Sequence, residues 1–278
     1  MHVLDADWAG ICRRAVEAQR AIFEEVRGSE ARTVYEGVGE GGDRTLVIDR
    51  RCEDAVFEEL QLLADDGASF VAVSEERGEV SFGDGGEAKV VIDPIDGSLN
   101  ARRTIPSHSF SLAVSSGPSM ADIEFGYVYD FGAGEEFAAR RGGGAMLDGA
   151  PVRVAPQAEG KLEVVGMEAA EPDGALPAIR ELAAHVYRLR VVGSIAITAS
   201  YVGAGRFDGM LGARPCRSVD IAAAQLIVRE AGGQVAFGDL ALEEAGLGLE
   251  TRYPIAAASG HRGLELLLRA QAATQGGL

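Results

Sequence analysis

The first apolar residues of the chain recur at helical spacing. In "WAGICRRAVEAQRAIFEEV" (8–26), Trp8, Ile11, Cys12, Ala15, Ile22, Phe23 and Val26 share one face and charged residues fill the other, which predicts an amphipathic helix. The stretch "YEGVGEGGDRT" (35–45) is rich in glycine and acid, has no period and reads as a mobile loop. The helical period returns from about Asp49 to Ala64, with Cys52, Val56, Phe57, Leu60 and Leu63 inward and Gly67 beyond the end. The pattern then shortens to β-type runs: "FVAVS" (70–74), "KVVI" (89–92), "SFSLAVSS" (109–116), "IEFGYVYD" (123–130) and "EEFAAR" (135–140). "RGGGAMLDGAPVRVA" adds glycine-rich turns and a further hairpin. Phe110, Leu112 and Val114 alternate with smaller residues, which predicts a sheet packed on one face. Beyond these, strands at "LEVVGM" and "RLRVVGS" alternate with helices at "IAITASYVGAG" and "VDIAAAQLIVREAGG". A strand at "PIAAASG" and a last helix over 261–273 complete the chain. With no internal repeat or long linker, residues 1–278 are expected to form one unit, an α+β half over about 1–155 and an α/β half over about 156–278.

Composition narrows the function. A chain of 278 residues, 47% hydrophobic and 25% charged, is that of an ordinary globular protein with a sizeable core. It has no apolar run of about eighteen residues, so no membrane span is expected. The acids in "MHVLDADWAG" do not fit a signal peptide, and a cytoplasmic location is expected. A formal charge of −17 speaks against nucleic acid as a partner, since a phosphate-backbone binder needs a basic surface. A small anionic substrate stays possible if a bound cation inverts the local field. Cys12, Cys52 and Cys216 are too scattered for a zinc site or a disulfide framework and read as buried thiols. His2, His108, His185 and His261 are equally dispersed, so carboxylates must carry any catalysis.

The most informative run is "KVVIDPIDGSLN", residues 89 to 100. Its proline, aspartates and glycine suit a tight turn. They equally suit a metal site, with Asp93 and Asp96 emerging together at the end of a buried strand. Other acids stand at element ends: Asp43 and Asp49 in "GGDRTLVIDR", Glu75 in "FVAVSEERG" and Asp220 in "RSVDIAAAQ". Taken singly, Asp49 and Asp220 read as helix-terminus acids and Glu75 as a solvated strand end. Together they fit a hard cation such as Mg2+, which takes carboxylate oxygens, water and substrate phosphate. Gly97 then lets the backbone approach a ligand, and the amides of Gly97 and Ser98 open a helical turn toward a phosphate.

"DPIDGSLN", with "SEERG" upstream and "SVDIAAAQLIVREAGG" downstream, resembles the inositol monophosphatase and fructose-1,6-bisphosphatase superfamily. The resemblance spans nearly the whole chain, including "GDRTLVID" and "VVGS", and is closest to the archaeal-type dual-specificity branch. It implies an αβαβα layered sandwich of the sugar-phosphatase type with mixed, largely antiparallel sheets. It also implies that Glu75, Asp93, the carbonyl of Ile95, Asp96 and Asp220 hold two or three Mg2+ ions, with Mn2+ a substitute, and that Asp49 stands near the weakest. Ser98 falls where the family has a Thr or Ser that, with Glu75, positions the attacking water. The implied reaction is in-line attack by metal-activated water without a phosphoenzyme. Residues 36–44 match a mobile lid, and homodimers or homotetramers are the implied assemblies.

The substrate follows less directly. An arginine at 214 in "MLGARPCRSVD" could grip a second phosphate through a bidentate contact, or be a solvated ion pair. Arg102, Arg103 and Arg217 carry the same two readings. Asp96, Gly97 and Ser98 are expected to bind the substrate, the amides of Gly97 and Ser98 facing its phosphate. Gly193, Ser194 and Tyr187 could border the sugar, though Ser194 could instead cap a helix. The first expectation is a fructose-1,6-bisphosphatase with inositol-1-phosphatase activity, the second a dedicated inositol monophosphatase. A 3′-phosphonucleotide phosphatase, or a protein-binding role with dispensable catalysis, are the remaining alternatives.

Overall fold

The computed structural model describes residues 2–28, 30–38, 44–157, 159–168 and 171–275. The helices are α1 (Trp8–Glu25), α2 (Val47–Asp65), α3 (Ser98–Arg103), α4 (Pro172–Leu182), α5 (Ile195–Gly203), α6 (Ser218–Glu230) and α7 (His261–Gln275). Strands β1 (Tyr35–Val38), β2 (Arg44–Leu46), β3 (Phe70–Ser74), β4 (Gly78–Phe82), β5 (Lys89–Asp96), β6 (Ser109–Ser115), β7 (Ile123–Asp130), β8 (Glu135–Arg140), β9 (Gly144–Leu147) and β10 (Ala150–Val152) precede α4. Strands β11 (Leu162–Glu168), β12 (Val186–Arg190), β13 (Gly209–Gly212), β14 (Cys216–Arg217), β15 (Gln234–Ala236), β16 (Arg252–Tyr253) and β17 (Ala256–Ala258) belong to the C-terminal half.

An eight-stranded sheet has the order β10-β9-β8-β7-β6-β5-β3-β4, with β3 and β5 parallel and the other neighbours antiparallel. A five-stranded sheet, β12-β11-β13-β17-β15, pairs β11 in parallel with β12 and β13 and is antiparallel elsewhere. Three of the four apolar clusters among the described residues stack these elements. Phe110, Leu112 and Val114 bury one face of the large sheet against Trp8, Ile11, Val56 and Leu60 of α1 and α2. Ala113, Val91 and Val128 bury the other face against α5 and α6, whose far side packs on Met210 and Ala257 of the small sheet. Val165, Leu211 and Ala256 close that sheet's outer face against Ala175, Ala178 and Leu182 of α4 and Leu267 and Ala270 of α7. The order is αβαβα.

This layering explains where pattern reading fell short. Strand β6 is buried along its whole length and not on one face only, because its small residues meet α6 while its large ones meet α1 and α2. Helix α6 reads as almost uniformly apolar because it lies between two sheets. Ala222, Ala223 and Ala224 bring it so close to β7 that a Cβ on Gly126 would stand 2.5 Å from the Ala223 carbonyl oxygen. The stretch read as an aperiodic loop instead forms an antiparallel pair, with Val38 opposite Arg44; residues 39–43, including Asp43, lie outside the described residues. Strand β5 also runs further than "KVVI". Asp93 and Asp96 are paired to Ser111 and Ser109 of β6, with a register shift between them.

Candidate active site

Segments far apart in sequence converge on one acidic site: the residue after β3, the irregular stretch of β5 and the first turn of α6. Among the described residues, Glu75, Asp93 and Asp220 place one carboxylate oxygen each within 4.8 Å of one another, and these are the acids that could jointly hold a metal ion. Glu75 follows directly on β3, Asp93 sits at the β5 irregularity, and Asp220 occupies the first turn of α6. Local amides fix these carboxylates. The Ile95 amide donates to Asp93 Oδ1 at 3.0 Å and the Arg217 amide to Asp220 Oδ2 at 2.8 Å.

Asp96 is held from β6 and from the start of α5. Its Oδ2 accepts from Ser194 Oγ at 2.5 Å, the Ala196 amide at 2.7 Å and Ser109 Oγ at 3.4 Å. Ser98 opens α3, and its hydroxyl donates to the Ile95 carbonyl at 2.9 Å. Gly97 has φ 89, and a Cβ there would lie 2.8 Å from the Gly193 carbonyl oxygen and 3.1 Å from that of Ser107, so only glycine fits the turn. Helix α3 is six residues long, and its macrodipole is correspondingly weak, so any phosphate contact there belongs to individual amides.

Burial sets the electrostatics. Desolvation pushes Asp93 well up, reinforced by Asp96, Glu75 and Asp220. Asp220 is raised to about 7 by burial and then by Asp96 and Glu75. Asp96 reaches about 6, the burial effect being opposed by its hydrogen bonds, that from Ser194 foremost. Like charges about 4 Å apart repel by about 4 kcal/mol at an effective permittivity of about 20, so full ionisation of this group calls for a cation. Asp49, in the first turn of α2, is raised to about 7 by burial and then by Glu76. Its Oδ1 is buried with no hydrogen-bond partner among the described residues, while Oδ2 accepts from the Leu46 amide at 3.4 Å. Hard carboxylate donors, mutual repulsion and an orphaned buried oxygen fit a divalent cation.

The other expected residues are placed differently. Gly193 has φ 86 and its loop is fastened to α3, because Asn100 Nδ2 donates to Val192 O at 2.8 Å and to Ser107 O at 2.7 Å. Ser194 is the buried N-cap of α5, accepting from the Ile197 amide at 3.2 Å, and stands behind Asp96, not on an open sugar-binding wall. Arg214 is 58% exposed and ion-paired with the equally open Glu171. Arg217 is buried and paired with Glu75.

Glu168 escaped the sequence reading although it ends an apolar strand, much as Glu75 directly follows one. Its carboxylate accepts from the amides of Val192 (3.0 Å) and Gly193 (2.8 Å) and from Thr198 Oγ1 (2.7 Å), and burial raises it to about 7. Glu53, fully buried in α2, accepts from Ser74 Oγ and, at 3.2 Å, from Arg77 Nε, and so supports the turn that carries Glu75.

Known proteins resemble this chain in sequence and in fold. The chain is 30% identical over 239 residues to a fructose-1,6-bisphosphatase/inositol-1-monophosphatase of Methanothermobacter thermautotrophicus, covering 82% of this chain and 83% of that one. It is 32% identical over 233 residues to the protein of the same name from Thermococcus kodakarensis, covering 84% of each. Among solved structures, the MJ0109 gene product, an inositol monophosphatase-fructose 1,6 bisphosphatase, superposes with a TM-score of 0.83 at 26% identity over 95% of this chain and all of that one. The extragenic suppressor protein suhB from Bartonella henselae gives 0.77 at 26% identity over 98% of this chain and all of that one. The model of the inositol monophosphatase family matches residues 7–275. With the αβαβα layers and the converging acids, that match places the chain in the inositol monophosphatase family.

Proposed function

We propose that the protein is a divalent-cation-dependent phosphomonoesterase for sugar and polyol phosphates, a fructose-1,6-bisphosphatase that also hydrolyses inositol 1-phosphate. The convergence of Glu75, Asp93 and Asp220 from both halves of the chain carries this reading. It also supports reading residues 1–278 as one catalytic unit, since Glu75 and Asp93 come from the first part of the chain and Asp220 from the last. The dual names of the archaeal relatives support the substrate class.

Glu75, Asp93 and Asp220 would hold Mg2+ or Mn2+, with Asp96 and the Ile95 carbonyl as further donors and Asp49 serving an additional ion. A cation there supplies Lewis-acid stabilisation of phosphoryl charge and acidifies water. The chain's own groups orient the reaction. Because the Ser98 hydroxyl spends its proton on the Ile95 carbonyl, its oxygen would meet an attacking water as an acceptor. Glu75, partly exposed at the acidic cluster, would take a proton from the attacking water. The glycine turn at 97 leaves the main chain bare for a phosphate to approach. By resemblance, the working form is a cytoplasmic homodimer or homotetramer, which sedimentation would measure.

One observation favours a dedicated inositol monophosphatase as the second reading: Arg214 is already paired with Glu171. Phosphate release in Mg2+ from fructose 1,6-bisphosphate, inositol 1-phosphate and 3′-phosphoadenosine 5′-phosphate separates the cases. Bisphosphate preference that drops about tenfold in Arg214→Ala supports a second-phosphate grip, the usual scale of a charged hydrogen bond. Inositol phosphate preference untouched by the change promotes the second reading. Absence of metal-dependent release from every ester overturns the phosphatase reading.

A further inference from the structure

Arg217 is a cation built into the acidic site. Its side chain is 6% exposed, and its guanidinium donates to Oε1 of Glu75. Its backbone N–H donates to Oδ2 of Asp220 at 2.8 Å. One residue therefore touches two of the three converging acids, one from each half of the chain. Its main chain is fixed twice: Arg217 pairs with Arg252 across β14 and β16, and it is the N-cap of α6.

Phosphate hydrolysis as described above makes no use of this contact. A buried ion pair is a weak source of stability, because desolvating both charges offsets most of their attraction. Its effect on a divalent ion is unambiguous in sign. A fixed positive charge beside the site repels the ion, and a carboxylate shared with a guanidinium is a poorer donor.

We propose that Arg217 is the resident counter-cation of the acidic site: it holds Glu75 in position and keeps the affinity for a divalent cation low, so that the ion exchanges with solvent. This rests on reading Glu75, Asp93 and Asp220 as a metal site. In the metal-free protein the guanidinium offsets part of the repulsion among the acids. In the loaded protein it shares Glu75 with the ion. Arg217 is a positioning residue and makes no contact with the ester.

The test is calorimetric titration of the full-length, metal-stripped protein with Mg2+ and Mn2+, together with its melting temperature with and without Mg2+. Arg217→Gln should bind Mg2+ about tenfold or more tightly, the direction Coulomb's law sets when a neighbouring like charge is removed. It should melt lower than wild type without metal, and the deficit should close as Mg2+ is added. Arg217→Lys keeps the charge and should stay within about threefold of wild-type affinity. Unchanged or weaker Mg2+ binding by Arg217→Gln overturns the inference, as does tightening by Arg217→Lys. Should Arg217→Gln fail to fold without metal, folding rescued by Mg2+ supports the inference, and failure to rescue overturns it. A wild-type protein that binds neither ion overturns the metal reading itself, an outcome distinct from binding that ignores Arg217.

Discussion

Strands β5 and β7 both run apolar into aspartate and glycine, yet their acids have opposite fates. Asp130 at the end of β7 is saturated: Oδ1 accepts from the amides of Gly132 at 2.8 Å and Ala133 at 3.1 Å, and Oδ2 from the Tyr201 hydroxyl at 2.9 Å. Asp93, at the irregularity inside β5, accepts from one amide and is crowded by Asp96, Glu75 and Asp220. The sequence signature is the same. What separates a structural acid from a chemical one is whether its neighbours are donors or other acids.

The largest effect that sharpens this contrast is on turnover. Asp93→Asn should lower metal-dependent phosphate release by at least about a hundredfold, the scale of removing an electrostatic stabiliser from a reaction centre. Its metal-free melting temperature should not fall, since burial and the neighbouring acids already disfavour the charge that the substitution removes. A cellular role that survives this loss of turnover would favour protein binding as the function. Asp130→Ala should do the reverse, destabilising the fold by about 1–3 kcal/mol through buried donors left without an acceptor. Its kcat/KM per folded molecule should change little, as denaturant titration beside single-substrate kinetics will measure. A large loss of turnover in Asp130→Ala would break the comparison.

A smaller effect is on pH dependence. Asp49, Glu168 and Asp220 sit at about 7 and Asp96 at about 6, all above their unfolded values. A carboxylate with a raised folded-state pKa contributes stability that is complete below its unfolded pKa and is lost as pH rises through the folded one. The metal-free protein should therefore melt highest in mild acid and progressively lower as pH passes through 6 to 7. Saturating Mg2+ should flatten that decline. A metal-free protein whose melting temperature rises across the same window would show that the acids are already compensated.

Much of the fold was legible because the code was local. The "FVAVS", "IEFGYVYD" and "EEFAAR" runs coincide with β3, β7 and β8, and the helical period placed α1, α2 and α6 within a few residues. Missed elements had weak local signals: β4 is a short edge strand, and α4 carries prolines at 172 and 177. The acids at element ends were legible for the same local reason. Their supports were not. Ser194 and Ala196 reach Asp96 from 98 and 100 positions away, and only the folded chain brings them there. Arg217 could be seen as an arginine near an acid, but its pairing with Glu75 spans 142 positions and depends on how α6 meets β3. The exposed Arg214–Glu171 pair, likewise, has no periodicity to announce it.

The close seating of α6 on β7 at Gly126 binds the tip of that helix to its middle. A bulkier residue at 126 or 223 would lift the whole rod, and the carboxylate at its start would move with it. A change among the small residues deep between the sheets would therefore register in chemistry that none of them touches.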